Sequence, residues 1–214
     1  MKCTLCNSET DYYTIIKNIE YFKCKSCLSV FMNPDNRLCA QAEFDRYLKH
    51  QNLVTDAGYQ SFTQPLVDTI LQYFGNNATG LDYGSGEYSA VTHNLTKYGY
   101  NIKMFDPFFH NNLALLDDKY DFIVCCEVIE HFYNPHLEFS KLRNLLKENG
   151  KLFCMTHQIE DSTDFKNWYY KNDLTHVFFY NNKAFEYITV NFNFSSHKIN
   201  NRIVIFNVKK TTKR

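Results

Sequence analysis

Three groups of side chains stand at spacings that can do chemistry. Cys3-x-x-Cys6 and Cys24-x-x-Cys27, with a 17-residue spacer between them, supply the four thiolates of a tetrahedral structural zinc site. Thr79-Gly-Leu-Asp82-Tyr-Gly84-Ser-Gly86-Glu-Tyr88 carries a β-prone segment through an acid into a Gly-x-Gly turn, and a helix-like run to Tyr98 follows. Strand, glycine turn and helix form the geometry with which α/β proteins hold a nucleoside-containing ligand, because glycine permits φ > 0 and close backbone approach. Glu127-Val-Ile-Glu130-His131 sets two carboxylates beside an imidazole at the end of an apolar run. With a distant histidine such as His176 these form a carboxylate–imidazole set suited to Mg²⁺ or Mn²⁺. The two histidines are also groups able to take a proton near neutral pH.

The glycine turn narrows its ligand. A dinucleotide fingerprint carries a third glycine where this chain has Ser89, and it meets a pyrophosphate at a helix N-terminus. Asp82, two residues before the first glycine, would repel a pyrophosphate and suits a cationic or amine-bearing ligand. A second strand, Asn101 to Phe105, ends at Asp106-Pro107. Asp106 lies 24 residues after Asp82, near the spacing at which an acid accepts both hydroxyls of a ribose.

The stretch from Asp82 to Gly86 resembles motif I of the class I S-adenosylmethionine-dependent methyltransferases, which often carry a further glycine where this chain has Tyr88. The string Glu127 to His131 is similar to their fourth motif, above all in quinone and small-metabolite O-methyltransferases. This resemblance covers roughly residues 64–210 and implies a Rossmann-like, seven-stranded α/β sheet with helices on both faces and the last strand antiparallel. It implies S-adenosylmethionine as cofactor, held by Asp82, Tyr83, Gly84, Ser85, Gly86, Asp106, Pro107, Cys126 and Glu127. Helices that precede motif I lie over the cofactor in related enzymes, which nominates Tyr47, His50 and Tyr59; a solvated helix face is the plainer reading of them. His131 and His176 are the candidate catalytic residues. Glu130, His157, Trp168, Tyr169 and Tyr170 are candidates for the acceptor side, against the alternative that these aromatics fill core. Small-RNA 2′-O-methyltransferases and some quinone O-methyltransferases resemble the carboxylate–imidazole cation set; related sequences without a metal also carry Glu-x-x-Glu-His.

The elements that must position these groups follow in order. The cysteine spacer is β-prone at Tyr12 to Ile16 and Tyr21 to Lys23, as a zinc ribbon requires. A helix is expected around Gln41 to Gln51, Tyr59 on a loop, and an amphipathic helix over Gln64 to Phe74 with Leu66, Ile70 and Leu71 inward. Tyr120 to Cys126 reads as a strand buried on both faces. Asn134-Pro135 opens a helix and Asn149-Gly150 ends it. A strand from Lys151 to Thr156, an insert reaching His176, a helix from Asn182 to Ile188 and two β-prone runs complete the chain. Between Asp106 and Tyr120 stand 13 residues, so the third α/β unit is abbreviated.

The totals bound what remains. The 214 residues suffice for one α/β domain with an appendage. The expected division is a zinc ribbon over 1–35, a helical segment over the cofactor site at 36–78 and the methyltransferase domain at 79–214. Lys+Arg and Asp+Glu are both 23, so no net charge draws the chain to nucleic acid or membrane. Residues 1–60 hold seven basic and seven acidic side chains. That balance counts against a rival reading, an RNA methyltransferase gripping its substrate with the ribbon. A catalytically lost cofactor-binding scaffold is the other rival. No run approaches a membrane span and the start lacks a signal-peptide core, so the expected compartment is cytoplasmic. There Cys39, Cys125, Cys126 and Cys154 read as small core residues and the paired cysteines as zinc ligands rather than disulfides. The expected partner is a small-molecule acceptor, and oligomeric state leaves no mark on the sequence.

Overall fold

The computed structural model describes residues 1–49 and 54–209, and structural statements concern those residues. Strand β1 (Thr10–Ile16) and β2 (Ile19–Cys24) form a hairpin turning at Lys17-Asn18, both at positive φ. A two-residue turn of that kind matches the twist of its strands. Strand β3 (Val30–Met32) pairs antiparallel with β2. Helix α1 (Ala40–Tyr47) follows, then α2 (Ala57–Tyr73), whose N-cap Asp56 accepts the Tyr59 amide.

The main sheet begins with β4 (Thr79–Tyr83), α3 (Ala90–Lys97) and β5 (Asn101–Phe105). It continues through β6 (Tyr120–Cys126), α4 (Pro135–Leu145) and β7 (Leu146–Met155). After the insert come β8 (Phe178–Phe179), α5 (Asn182–Asn191), β9 (Phe194–Asn200) and β10 (Ile203–Val208). Six strands lie in the order β5-β4-β6-β7-β10-β9. The first four are parallel, and β10 runs antiparallel to both its neighbours, as the resemblance implied. Alternation along the strands loads both faces. Leu81, Ile123, Cys125, Leu152, Cys154, Val204 and Phe206 pack with α4, α5 and the N-terminal ribbon. Phe122, Val124, Phe153, Met155, Ile203 and Ile205 pack with α2 and α3.

Six expectations need correction. Helix α4 stops at Leu145, so Asn149-Gly150 lies inside β7 and does not end the helix. Cys39 is exposed and not a core residue, because it stands at the N-cap of α1. The sheet has six strands, not seven. The short connection after Asp106 folds into an Asp106↔His110 bridge and a 3-10 turn over Leu113–Leu116, leaving no length for a third-unit strand. A groove of about 660 Å³, lined by Lys103, Met104, His110, Asn111, Asn112 and Leu115, borders β5 there, away from the Glu130–His131 chemistry. Tyr59 lies in the first turn of α2 and not on a loop, because Asp56 starts that helix early. The helix after the glycine turn starts at Ala90, where Ser89 caps it by accepting the Thr92 amide. Helix α1 ends at Tyr47, short of the expected Gln51.

The insert returns to the N-terminal segment. Strand β8 adds to β3, with Val30 opposite Phe179 and Phe31 opposite Phe178, so the ribbon sheet has four strands, β1-β2-β3-β8.

Candidate functional site

The carboxyl ends of β4, β5 and β6 gather the cofactor-side candidates. Gly84 has φ +79°, and a Cβ built on it would stand 2.6 Å from the Val128 side chain; the turn requires glycine on both counts. The Gly84 and Ser85 amides donate to the Phe105 carbonyl at 2.8 and 3.2 Å, which ties the turn to β5. Asp82 is buried beneath it and accepts from Ser89 Oγ at 2.5 Å and Thr92 Oγ1 at 2.7 Å. Its carboxylate therefore clamps the start of α3 to β4, and burial pushes its pKa upward despite those two donors.

Asp106, also buried, reaches back to the same turn. One oxygen accepts the Gly86 amide at 3.0 Å; the other accepts Phe108 and Phe109 amides at 2.9 and 3.1 Å, around Pro107. A carboxylate offers about four lone-pair sites, so acceptor capacity for a ribose hydroxyl remains. Tyr59 approaches from α2; burial, then the neighbouring Cys126 and Asp82, raises its phenol. Tyr47 stands between two groups of candidates. Its hydroxyl donates to Glu43 at 2.9 Å, and its ring lies 5.6 Å from Phe108 and 5.7 Å from His131. His50 falls outside the described residues.

Beyond β6 the chain turns sharply at Glu127, whose φ of 52° is left-handed. Glu127 pairs with Arg202 at 2.8 Å and accepts from the Tyr170 hydroxyl at 3.1 Å. Tyr170 also makes a short bond to Glu130, and Thr156 Oγ1 donates to the other Glu130 oxygen at 3.0 Å. Glu130 is fully buried; desolvation, then the Glu127 charge, pushes its carboxyl up to about 8. Proton counting agrees. Tyr170 has one hydroxyl proton and two carboxylates in reach, so a shared carboxyl proton is needed if both contacts are hydrogen bonds. The pair then carries one negative charge, opposite the Arg202 guanidinium.

His131 sits in a 3-10 turn over Ile129–His131. Its Nδ1 lies 2.9 Å from the Thr175 carbonyl, and His176 Nδ1 lies 2.6 Å from the Tyr170 carbonyl. A ring nitrogen against a carbonyl must carry the proton, which leaves Nε2 of each neutral ring as a lone pair. The two rings are 4.8 Å apart, and donor atoms of Glu130, His131 and His176 all fall within 4.8 Å of one another.

The insert covers this group. His157 Nε2 meets the Tyr169 hydroxyl at 2.6 Å; burial, then the nearby Arg202 charge, lowers its pKa to about 4. Trp168 is half-buried against Phe165, Tyr170 and Phe179, whereas Tyr169 is exposed. Sequence reasoning missed Arg202 and Thr156. Arg202 comes from the β9–β10 turn, lies 4.4 Å over the Phe62 ring, and has no local pattern that ties it to Glu127.

At the other end of the ribbon, the four paired cysteine sulfurs converge. Cys3–Cys27 and Cys6–Cys24 Sγ separations are 3.7 and 3.3 Å, well beyond a covalent bond. The Ser26 amide donates to Cys24 Sγ, and Cys27 lies beside Ser29 Oγ, each at 3.4 Å. Four converging thiols with outer hydrogen bonds fit a tetrahedral zinc ion.

Comparison with known proteins agrees with this geometry. Residues 56–198 match the family model described as a methyltransferase domain. A stretch of 39 residues is 51% identical to the ubiquinone biosynthesis O-methyltransferase of Glaesserella parasuis serovar 5 (strain SH0165), spanning 18% of this chain and 16% of that protein. Among solved structures, one similar fold is the 1,6-didemethyltoxoflavin-N1-methyltransferase of Burkholderia thailandensis with bound 1,6-didemethyltoxoflavin and S-adenosylhomocysteine. It has a TM-score of 0.54 and 11% identity, over 94% of this chain and all of that one (100%). Another is CalO1, a methyltransferase in calicheamicin biosynthesis in its S-adenosylhomocysteine-bound form, at TM-score 0.50 and 11% identity over 80% and 61% of the two chains. Among the described residues no helix is long and apolar enough to cross a membrane. With its glycine turn, its paired acids and a family match over most of its length, the chain belongs to the methyltransferase-domain family.

Proposed function

We propose that the chain methylates oxygen or carbon of a small metabolite, sugar-like or quinol-like, with His131 and His176 handling the acceptor's proton. The observation that carries this reading is the histidine pair itself. Both rings are pinned through Nδ1 and held 4.8 Å apart at the end of β6, beside the cofactor-side residues. The bound cofactor supplies a methyl group on a sulfonium, and its transfer to an acceptor leaves a thioether. The protein's part in such an in-line displacement is alignment. Tyr47 closes one side, Trp168 and Tyr170 the other, and a hydroxyl acceptor between them would give its proton to His131 Nε2. The name of the Glaesserella relative, an O-methyltransferase of ubiquinone biosynthesis, supports oxygen and a quinol-like acceptor.

A divalent cation is a second reading favoured by one specific observation. Metal-binding histidines usually donate their other N–H to a carbonyl or carboxylate, and both His131 and His176 face carbonyls through Nδ1. Glu130, His131 and His176, with Glu127 one turn away, would hold Mg²⁺ or Mn²⁺, which would lower the acceptor hydroxyl's pKa. Zinc is proposed at Cys3, Cys6, Cys24 and Cys27. Metal analysis of chain prepared without chelator is expected to give about one zinc per molecule; none would overturn that assignment.

The cofactor side is tested by calorimetry. S-adenosylhomocysteine should bind and NAD should not. Asp106→Ala should weaken S-adenosylhomocysteine by about 1.5–3 kcal/mol, the range for a hydrogen bond to a charged group. Unchanged affinity would place the ribose elsewhere. The acceptor is tested by offering wild-type chain and labelled S-adenosylmethionine a panel of quinols, sugars and RNA. Label on RNA alone would favour the ribbon as an RNA grip, and label on none of them would favour a binding scaffold.

A further inference from the structure

The backbone of Val177 bonds both to the ribbon and to the segment that carries His131. Its amide donates to the Glu130 carbonyl at 2.9 Å, and its carbonyl accepts the Met32 amide of β3, also at 2.9 Å. Val177 directly follows His176, and Glu130 directly precedes His131. The next residues, Phe178 and Phe179, form β8 and pair with Phe31 and Val30. Tyr180 then donates its hydroxyl to the Ile129 carbonyl at 3.0 Å. Backbone bonds thus run without a break from the ribbon's last strand to both histidine-bearing segments.

Side chains follow the same route. Phe31 stacks on Phe178, with ring centres 5.8 Å apart and planes 13° apart. Tyr21 of β2 meets Phe165 at 5.0 Å and Phe179 at 6.2 Å, and Trp168 meets Phe179 at 5.5 Å. Trp168 lies 5.3 Å from Tyr170, and Tyr170 lies 4.2 Å from the His176 ring. Cys24 ends β2, and Cys27 stands three residues before β3, so the four-sulfur cluster fixes the roots of both strands. The glycine turn shares no strand with this sheet; it is held by β5 and α3.

We propose that the metal-loaded ribbon is the positioning element of the acceptor side: through β3, Val177 and the Phe31–Phe178 stack it sets His176 and the Trp168–Tyr170 wall, and leaves the cofactor site alone. The assignment rests on the reading of His131 and His176 as the acceptor side. Phe31 and Met32 act through β8 and touch no reacting group. A short β8 of two residues has too few bonds to hold its place alone, since isolated strand pairs are marginal without a packed face.

Trp168 is the chain's one tryptophan and therefore reports on the wall by fluorescence. Full-length chain is compared with zinc and after its removal by chelator, together with Phe31→Leu and Cys27→His. Emission, amide exchange at Val177 and S-adenosylhomocysteine calorimetry are read on each. Zinc removal should shift Trp168 emission to longer wavelength and speed Val177 exchange at least tenfold, with S-adenosylhomocysteine affinity within twofold. Phe31→Leu should move the first two readouts the same way while keeping its zinc, and zinc-loaded Cys27→His, which retains a ligand, should leave both near the zinc-loaded wild-type values. Unchanged emission and Val177 exchange while residues 3–27 exchange freely would overturn the inference. So would a loss of S-adenosylhomocysteine affinity in step with the emission change, because the ribbon would then support the whole fold. If His131→Asn keeps full turnover while Val177 still responds to zinc, the acceptor-side reading fails and the ribbon coupling stands.

Discussion

His131→Asn is expected to lower methyl transfer by about 10²–10⁴, the contribution of a positioned acid–base group, while S-adenosylhomocysteine binding and melting temperature stay near wild type. Asparagine places an amide N–H near the position of Nδ1, so the bond to the Thr175 carbonyl, 2.9 Å in the wild type, can survive. It has nothing in place of Nε2. The substitution therefore separates chemistry from packing, which His131→Ala would confuse by leaving the Thr175 carbonyl unpaired. Turnover at the wild-type level would reduce His131 to a structural residue at the strand end. A loss of turnover restored by millimolar Mg²⁺ or Mn²⁺ would assign the role to the cation and leave His131 as one of its ligands.

The second large effect is a pH dependence of stability carried by Glu130. Its carboxyl is pushed from an ordinary 4.5 up to about 8, first by burial and then by the Glu127 charge. A folded-state pKa above the unfolded one means that the native chain holds a proton that the unfolded chain releases. The contribution of the neutral carboxyl is therefore fully present below pH 4.5 and is lost as pH rises towards 8. Every tenfold difference in proton affinity between the folded and unfolded chain is worth about 1.4 kcal/mol, so the loss amounts to several kcal/mol. Glu130→Gln keeps an acceptor for Thr156 and Tyr170 and does not titrate. Its stability relative to wild type should climb steadily between pH 4.5 and 8 in urea titrations made without added divalent cation. A difference that stays flat across that window would show that the buried pair shares no proton.

The sequence by itself determined the glycine turn, both acids, the paired cysteines and the Glu127–His131 string, because each is a local pattern. Gly84 needs positive φ and the room a Cβ would take from Val128, and residue type alone announces both. Asp106 was legible because a βαβ unit has nearly constant length. The short connection before Tyr120 was legible too, and it outweighs the family expectation of seven strands: a strand and a crossover helix do not fit in 13 residues.

Tertiary structure decided what distant side chains do together. The glycine-turn acid Asp82 is buried under the start of α3, a place set by the Ser89 and Thr92 hydroxyls. Arg202 meets Glu127 only because β10 inserts antiparallel between β7 and β9 and brings their turn to the carboxyl end of β6. Thr156 and Tyr170 meet Glu130 because β7 runs parallel to β6 and the insert folds back across it. The ribbon's bonds to the segments that carry His131 and His176 are of the same kind. Phe31 and Phe178 are 147 positions apart, and no periodicity or spacing can announce a two-residue strand that exists only where another sheet offers it an edge.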